Sequence, residues 1–286
     1  MSKLLESKKF EMVFRKRELD FSSRTHLMGV LNVTPDSFSD GGKIFKPEDA
    51  INRAWRMVEQ GADIIDVGGE STRPGADSIP VEEELRRVIP VIKELTKKTD
   101  IPVSIDTYKS EVAREALDAG AEMINDISAL RFDPRMKEVA FRYDVPVVLM
   151  HIKGTPKNMQ DNPSYDNLIQ EISDYLRESI EKAEDSGIAQ DKIIIDPGIG
   201  FGKRLKDNLE ILRNLEKLAS LGKPILVGLS RKSFIGKVLD LPLDERMEGS
   251  LAALAVAICN GAKILRVHDV KESKRAAQMV DAILQG

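Results

Sequence analysis

The chain has 286 residues, with 43 basic against 47 acidic side chains and a formal net charge of −4. Its composition, 42% hydrophobic and 31% charged, can build a full core and keep a polar surface, which excludes a disordered or low-complexity chain. The near balance of charge argues against a dedicated nucleic-acid binder, which carries a basic footprint, but leaves small anionic substrates open. One cysteine, Cys259, excludes a disulfide scaffold and a cysteine-based zinc cluster. In its Ala-rich apolar stretch it is expected to be an inert buried thiol. The longest charge-free stretch, 249–262, is too short to span a bilayer, and the first residues show no apolar leader. A reduced, cytoplasmic protein is the expectation.

From His26 onward, short β-branched runs alternate with longer amphipathic stretches. The runs are 26–33, 64–68, 103–107, 123–127, 145–151, 192–197, 224–230 and 264–268. Several are near-continuously apolar (VPVVLM, KIIID, PILVG), the pattern of strands buried on both faces. Between them, 47–60, 81–98 and 165–186 predict helices. Pro47 suits a first helical turn. Gly61, Gly120 and Gly187 suit helix stops. Eight such units predict an α/β fold, a single (β/α)8 TIM barrel over residues 26–286. A doubly wound open sheet is the alternative arrangement. Residues 1–25 form an N-terminal extension, expected to be a short hairpin or plug at the barrel bottom.

Active sites of such barrels lie at the carboxyl ends of the strands. Here every end is polar: Asn32 before VTPDSFSDGG, VGGESTRPG, Asp106-Thr107, Asn125-Asp126, Met150-His151, Asp196 before PGIGFGK, SRKS at 230–233, and Arg266-Val267-His268-Asp269. One polar strand end is ordinarily a cap or a turn. A whole ring of them points to a ligand. Asp106, Asn125 and Asp196 suit a flat heterocycle presenting N–H and NH2 donors beside an acceptor. Arg231, Lys232, Arg266 and His268 suit an anion, on the strands whose loops often hold phosphate. Asp36 and Asp40 suit Mg2+ beside a diphosphate.

Other features carry less. Gly198-Ile199-Gly200-Phe201-Gly202-Lys203 fits neither phosphate-loop spacing and reads as a tight turn that brings Phe201 against a ligand. His26 and His151 read as hydrogen-bonded core residues rather than metal ligands. No GxSxG signature is present and Cys259 is poorly placed, so covalent catalysis is not the leading reading. The stretch 249–262 is apolar nearly all round if helical, which suits either tight packing on the barrel or a dimer face.

NVTPDSFSDGG, DVGGESTRPG, SIDT, NDIS, LMHIKGTPKNMQ, IIIDPGIGFGK, VGLSRKSFIG and LRVHDV follow one another at successive strand ends. From about residue 26 to the end, the chain resembles the dihydropteroate synthase family. One small departure is Ile152-Lys153, where the family commonly has Met-Gln. The resemblance implies a transferase of folate biosynthesis that joins 6-hydroxymethyl-7,8-dihydropterin diphosphate to 4-aminobenzoate, giving 7,8-dihydropteroate and diphosphate. It implies catalytic roles for Asp106, Lys232, Arg266 and Asp40. Asp106, Asn125 and Asp196 would bind the pterin ring nitrogens and 2-amino group, and Lys232 its carbonyl and N5 side. Arg266 would stack on the ring, with Met150 and Phe201 as pocket walls. Asn32, Thr72, Arg266 and His268 would face the diphosphate, with Mg2+ at Asn32 and Asp40. Phe38, Arg73, Pro74, Lys232 and Ser233 would frame 4-aminobenzoate. The family is typically homodimeric. Two other readings share the barrel: a pterin-binding methyltransferase domain using methyltetrahydrofolate, and a non-catalytic scaffold. The combined SRK, RVHD and NVTPDSFSDGG segments speak against both.

Overall fold

The computed structural model describes residues 9–34 and 47–286. A short antiparallel hairpin, β1 (Glu11–Val13) and β2 (Glu18–Asp20), comes first. The strands β3 (His26–Asn32), β4 (Ile64–Gly68), β5 (Val103–Asp106), β6 (Met123–Asp126), β7 (Val147–Met150), β8 (Ile193–Asp196), β9 (Ile225–Gly228) and β10 (Ala262–Val267) follow. They close into a parallel barrel with β10 paired to both β9 and β3. The expected TIM barrel is therefore the fold, and the open sheet is not.

Side chains alternate in facing along a strand, so each strand serves two cores. Leu27, Leu31, Ile65, Val67, Ile105, Ile124, Leu149, Ile195, Val227 and Leu265 face outward and pack with the surrounding helices. Met28, Ile64, Met123, Val148, Ile194, Leu226 and Ile264 have the other parity and fill the barrel interior. Met12, Phe14, Leu19 and Phe21, from β1, β2 and their flanks, pack into that same inner cluster. The hairpin thus plugs the amino end of the barrel, leaving the carboxyl rim for chemistry.

The helices are α1 (Pro47–Glu59), α2 (Val81–Lys98), α3 (Ser110–Asp118), α4 (Met136–Tyr143), α5 (Leu168–Asp185), α6 (Leu205–Arg213), α7 (Ser233–Leu239), α8 (Met247–Cys259) and α9 (Val270–Gln285). Pro47 opens α1, and Gly61, Gly120 and Gly187 carry positive φ just past helix ends. The predicted helix 165–186 begins later, at Leu168, because Asn167 caps it: its side chain accepts from the Gln170 N–H at 3.3 Å. Glu171 Oε1 reaches back to the Asp166 and Asn167 N–H groups, which fixes that boundary.

One expectation is overturned. Cys259 is exposed, at the last position of α8. That helix buries Ser250, Leu254, Ala257 and Ile258 against the barrel and turns Val256 and Cys259 outward. An all-round apolar helix carries no sequence signal for which side faces in.

Candidate active site

Two residues beyond the apolar inner layer, the inward positions become polar. Asp66 on β4, Asn125 on β6, Asp196 on β8 and Arg266 on β10 share the inward parity, as does Asp106 at the end of β5. Register sets neighbours: Asp106 lies beside Asn125, and Met150 beside Asp196. Two glycines in this layer make room for long side chains. A Cβ at Gly228 would meet Lys232 Nζ at 3.6 Å and Arg266 Cβ at 3.8 Å, and one at Gly68 would meet Asp106 at 3.4 Å.

Arg266 organises the ring. Its Nε donates to Asp66 Oδ2 and its Nη2 to Asp106 Oδ2, both at 2.6 Å. Asn125 Nδ2 also donates to Asp66 Oδ2, at 3.0 Å. Burial opposes charge on the guanidinium, but Asp66 and Asp106 together hold its pKa above the usual value. Both donor N–H groups lie in the guanidinium plane, so neither hydrogen bond occupies a face. Asp66 Oδ1 and Asp106 Oδ1 are buried without a hydrogen-bond partner among the described residues. Such acceptors call for a donor. Burial raises the pKa of Asp106, Arg266 pulls it down, and nearby Asp66 raises it further.

On the other side, Asp196 Oδ1 accepts from the Gly198 N–H at 2.7 Å. Burial pushes its pKa up, against the pull of Lys232. Lys232 Nζ donates to the Ile199 carbonyl and lies 4.8 Å from the centre of the Phe201 ring. Burial lowers its pKa to about 8, opposed by Asp196. Phe201 and Tyr108 lie against the apolar wall of Ile127, Met150, Ile152 and Met159.

The 198–203 segment is the expected tight turn: the Phe201 N–H donates to the Gly198 carbonyl at 3.0 Å, and Gly198 has φ +68. A Cβ at Gly198 would sit 1.9 Å from the His151 carbonyl oxygen, so only glycine fits there. Beneath the turn, Lys203 is 3% exposed. Its Nζ meets His151 Nδ1 and the Phe201 carbonyl at 2.9 Å each. His26 is likewise buried, with Nδ1 3.0 Å from the Arg24 carbonyl. Both histidines are hydrogen-bonded core residues, as their strand positions suggested. No cluster of three or more potential metal-ligating side chains occurs among the described residues.

Other candidates are more scattered. Asn32 ends β3 on the rim, half-buried. His268 is half-buried; its N–H donates to Ser230 Oγ at 3.3 Å, and its Nδ1 has no partner among the described residues. Burial and then Arg266 lower its pKa to about 4. Thr72 is half-buried in the loop after β4, where Arg73 and Pro74 are exposed. Ser233 is exposed at the start of α7. No hydrogen bond among the described residues ties these four to the carboxylate ring. Arg231 does not face the anion side: it makes a two-pronged pair with Asp269, at 2.8 and 2.7 Å. Asp36, Phe38 and Asp40 lie outside the described residues.

The sequence reading missed Asp66. It is fully buried and touches both Arg266 and Asn125. Its signal was a lone carboxylate inside the apolar run IIDVG, at the parity of Ile64 and Gly68.

A plugged parallel barrel with a rim of buried carboxylates, one amide and two cations defines a barrel enzyme for a polar flat ring joined to an anion. A family model of pterin binding enzymes matches residues 28–268. A dihydropteroate synthase of Clostridium beijerinckii is 49% identical over 96% of this chain and 100% of its own. Among solved structures, a Yersinia pestis dihydropteroate synthase with a sulfonamide drug complex superposes with a TM-score of 0.92 at 45% identity, over 96% of this chain and 100% of that one. Xanthomonas albilineans dihydropteroate synthase with 4-aminobenzoic acid gives 0.91 at 46% identity, over 97% and 99%. The chain belongs to the pterin binding enzymes, within the dihydropteroate synthase family.

Proposed function

We propose that this protein is a transferase of folate biosynthesis that condenses 6-hydroxymethyl-7,8-dihydropterin diphosphate with 4-aminobenzoate. The observation that carries this reading is the Asp66–Arg266–Asp106 bridge beside Asn125, Asp196 and Lys232, facing the wall of Met150 and Phe201. Asp106, Asn125 and Asp196 accept from the pterin ring and its amino group. Lys232 donates to the carbonyl and N5 side. A face of Arg266 stacks on the ring.

The exocyclic carbon–oxygen bond opens first, leaving a cation spread over the pterin, and the arylamine nitrogen then attacks the methylene carbon. The bond's electron pair leaves with diphosphate, and the new ammonium loses one proton. Positive charge grows on the pterin as the bond opens. The buried carboxylates of Asp106 and Asp196 favour that charge from fixed positions. Asn32, Thr72, Arg266 and His268 face the diphosphate. Arg73 and Pro74 on the loop after β4, Ser233 on α7, Lys232 and Phe38 frame 4-aminobenzoate.

Asn32, on the rim at the end of β3, and Asp40 are oxygen donors that would hold Mg2+, which prefers oxygen ligands. Bound there, Mg2+ would supply positive charge beside the leaving diphosphate.

A homodimer is part of the proposal. It is supported by outward Val256 on α8 and Met279, Ile283 and Leu284 on α9, which are 47%, 62%, 66% and 56% exposed. One cysteine suits a reducing cytoplasm. No helix among the described residues is long and apolar enough to cross a membrane.

Diphosphate release assayed with and without 4-aminobenzoate tests the reaction. Release that depends on the arylamine supports the proposal. Turnover of methyltetrahydrofolate instead, or silence with both substrates, overturns it. Sedimentation at micromolar protein tests the dimer.

A further inference from the structure

Lys109 stands apart from the carboxylate ring, three residues past the end of β5. Its Nζ donates to Glu70 Oε2 at 2.6 Å, to Glu84 Oε2 at 2.7 Å and to the Ile79 carbonyl at 2.7 Å. Glu70 is the second residue of the long loop between β4 and α2, and Ile79 is its last but one. One ammonium group therefore pins both ends of the segment that carries Thr72, Arg73 and Pro74. Glu70 closes the same circuit, since its Oε2 also accepts the Ile79 N–H at 3.0 Å. Its other oxygen accepts from the Tyr108 hydroxyl at 2.5 Å. Tyr108 in turn lies against the Ile127–Met150–Met159 wall. Two consecutive residues after β5 thus join the base of this loop to the side of the pterin pocket.

The rest of the loop is held more lightly. The Gly75 N–H donates to the Pro156 carbonyl at 2.9 Å, and Asp77 pairs with Lys157 at 2.8 Å, both side chains being largely exposed. Exposed pairs contribute little. The side chains of Lys109, Glu70 and Glu84 are only 14%, 6% and 1% exposed. A buried charge cluster of this kind is poor value for stability compared with apolar packing, so its worth lies in the geometry it fixes.

We propose that Lys109 is a positioning residue for the arylamine end of the site: it sets the loop from Glu70 to Ile79 in the attitude that receives 4-aminobenzoate. The inference rests on the functional reading above for the identity of that substrate. The placement of the loop itself does not depend on it.

The test uses the full-length enzyme with Lys109→Met, and Tyr108→Phe as a milder second variant that keeps the ammonium. In Lys109→Met, the KM for 4-aminobenzoate should rise by about tenfold or more, while the Kd of a pterin fragment stays within about twofold. Amides 71–78 should exchange hydrogen about tenfold faster, with those of β5 and β6 unchanged. Tyr108→Phe should shift KM in the same direction by a smaller factor. Should Lys109→Met misfold, Tyr108→Phe decides by the same measurements. A parallel loss of pterin affinity and thermal stability would mark Lys109 as merely structural and overturn the proposal, as would unchanged exchange at 71–78. Failure of the wild-type protein to bind the pterin fragment would instead sink the functional reading, while the exchange measurement would still decide the role of Lys109.

Discussion

Arg266 and Asp66, 200 residues apart in sequence, meet inside the barrel with Nε 2.6 Å from Oδ2. The pair aims the guanidinium, because Asp66 is fully buried on a rigid strand and Arg266 has one further carboxylate to turn to. Asp66→Ala should leave two buried donors, from Arg266 and Asn125, without their acceptor. A lost hydrogen bond to a charged group costs about 1.5–3 kcal/mol, which corresponds to a roughly 13- to 160-fold fall in kcat/KM. Steady-state kinetics on a variant shown to be folded checks this. Unchanged kcat/KM would remove Asp66 from the account.

Arg266→Lys keeps the charge but loses the forked donors and the flat face. We expect at least a tenfold loss of kcat/KM, about 1.4 kcal/mol. If lysine serves equally well, only charge matters at this position.

Asp196→Asn preserves shape and replaces a carboxylate oxygen by an NH2 group. A donor then faces a donor in a buried place. Pterin affinity should fall by about 2–3 kcal/mol with the melting temperature little changed. Calorimetric titration of a pterin fragment reads this directly, and near-native affinity would show that Asp196 does not anchor the ring.

The pKa of Lys232, lowered to about 8, gives a pH test with two opposite signs. As pH rises through 8 the folded protein loses this cation, so kcat/KM should fall on the alkaline side. The unfolded chain keeps its lysine protonated to about pH 10.4, so it binds more protons than the folded one over that window. Lys232's own contribution to stability therefore rises from pH 8 upward, while activity declines. In Lys232→Gln, the alkaline fall near pH 8 should vanish. Its persistence would assign that limb to another group.

Removal of divalent metal should stop turnover, and Mg2+ should restore it. Asp40→Ala should lose about 100-fold in turnover, near 2.7 kcal/mol for one charge contact in a closed site. The same variant should bind a pterin fragment lacking diphosphate within about threefold of the wild type. Loss of fragment affinity together with thermal stability would show Asp40 bracing the rim rather than serving the diphosphate.

The strands were legible because a strand buried on both faces reads as an apolar run, and each polar break marked an end. Asp106, Asn125, Asp196, Lys232 and Arg266 stood out for that reason, and the structure gathers them at one rim. Asp66 stayed hidden inside its run, although its parity with Ile64 points it inward. Asp126, one residue past Asn125, faces the other way and caps the turn through Ser128 and Leu130. The Glu70–Lys109–Glu84 cluster was beyond reach, since three separate segments meet only in the folded chain. The facing of Cys259 was lost because an apolar helix has no contrasting side.

Closure of the barrel between its first and last strands carries a consequence for biosynthesis. β10 pairs with β3, and Thr25, just before β3, bonds through its N–H and hydroxyl to Asp281 on α9. While the chain emerges from the ribosome, Asp66 and Asp106 are made early and must wait for Arg266. Until then their carboxylates have no guanidinium, and the strand edges of β3 and β9 lie open. Nascent chains stalled before β10 should therefore bind no pterin and should depend on chaperones to shield those edges.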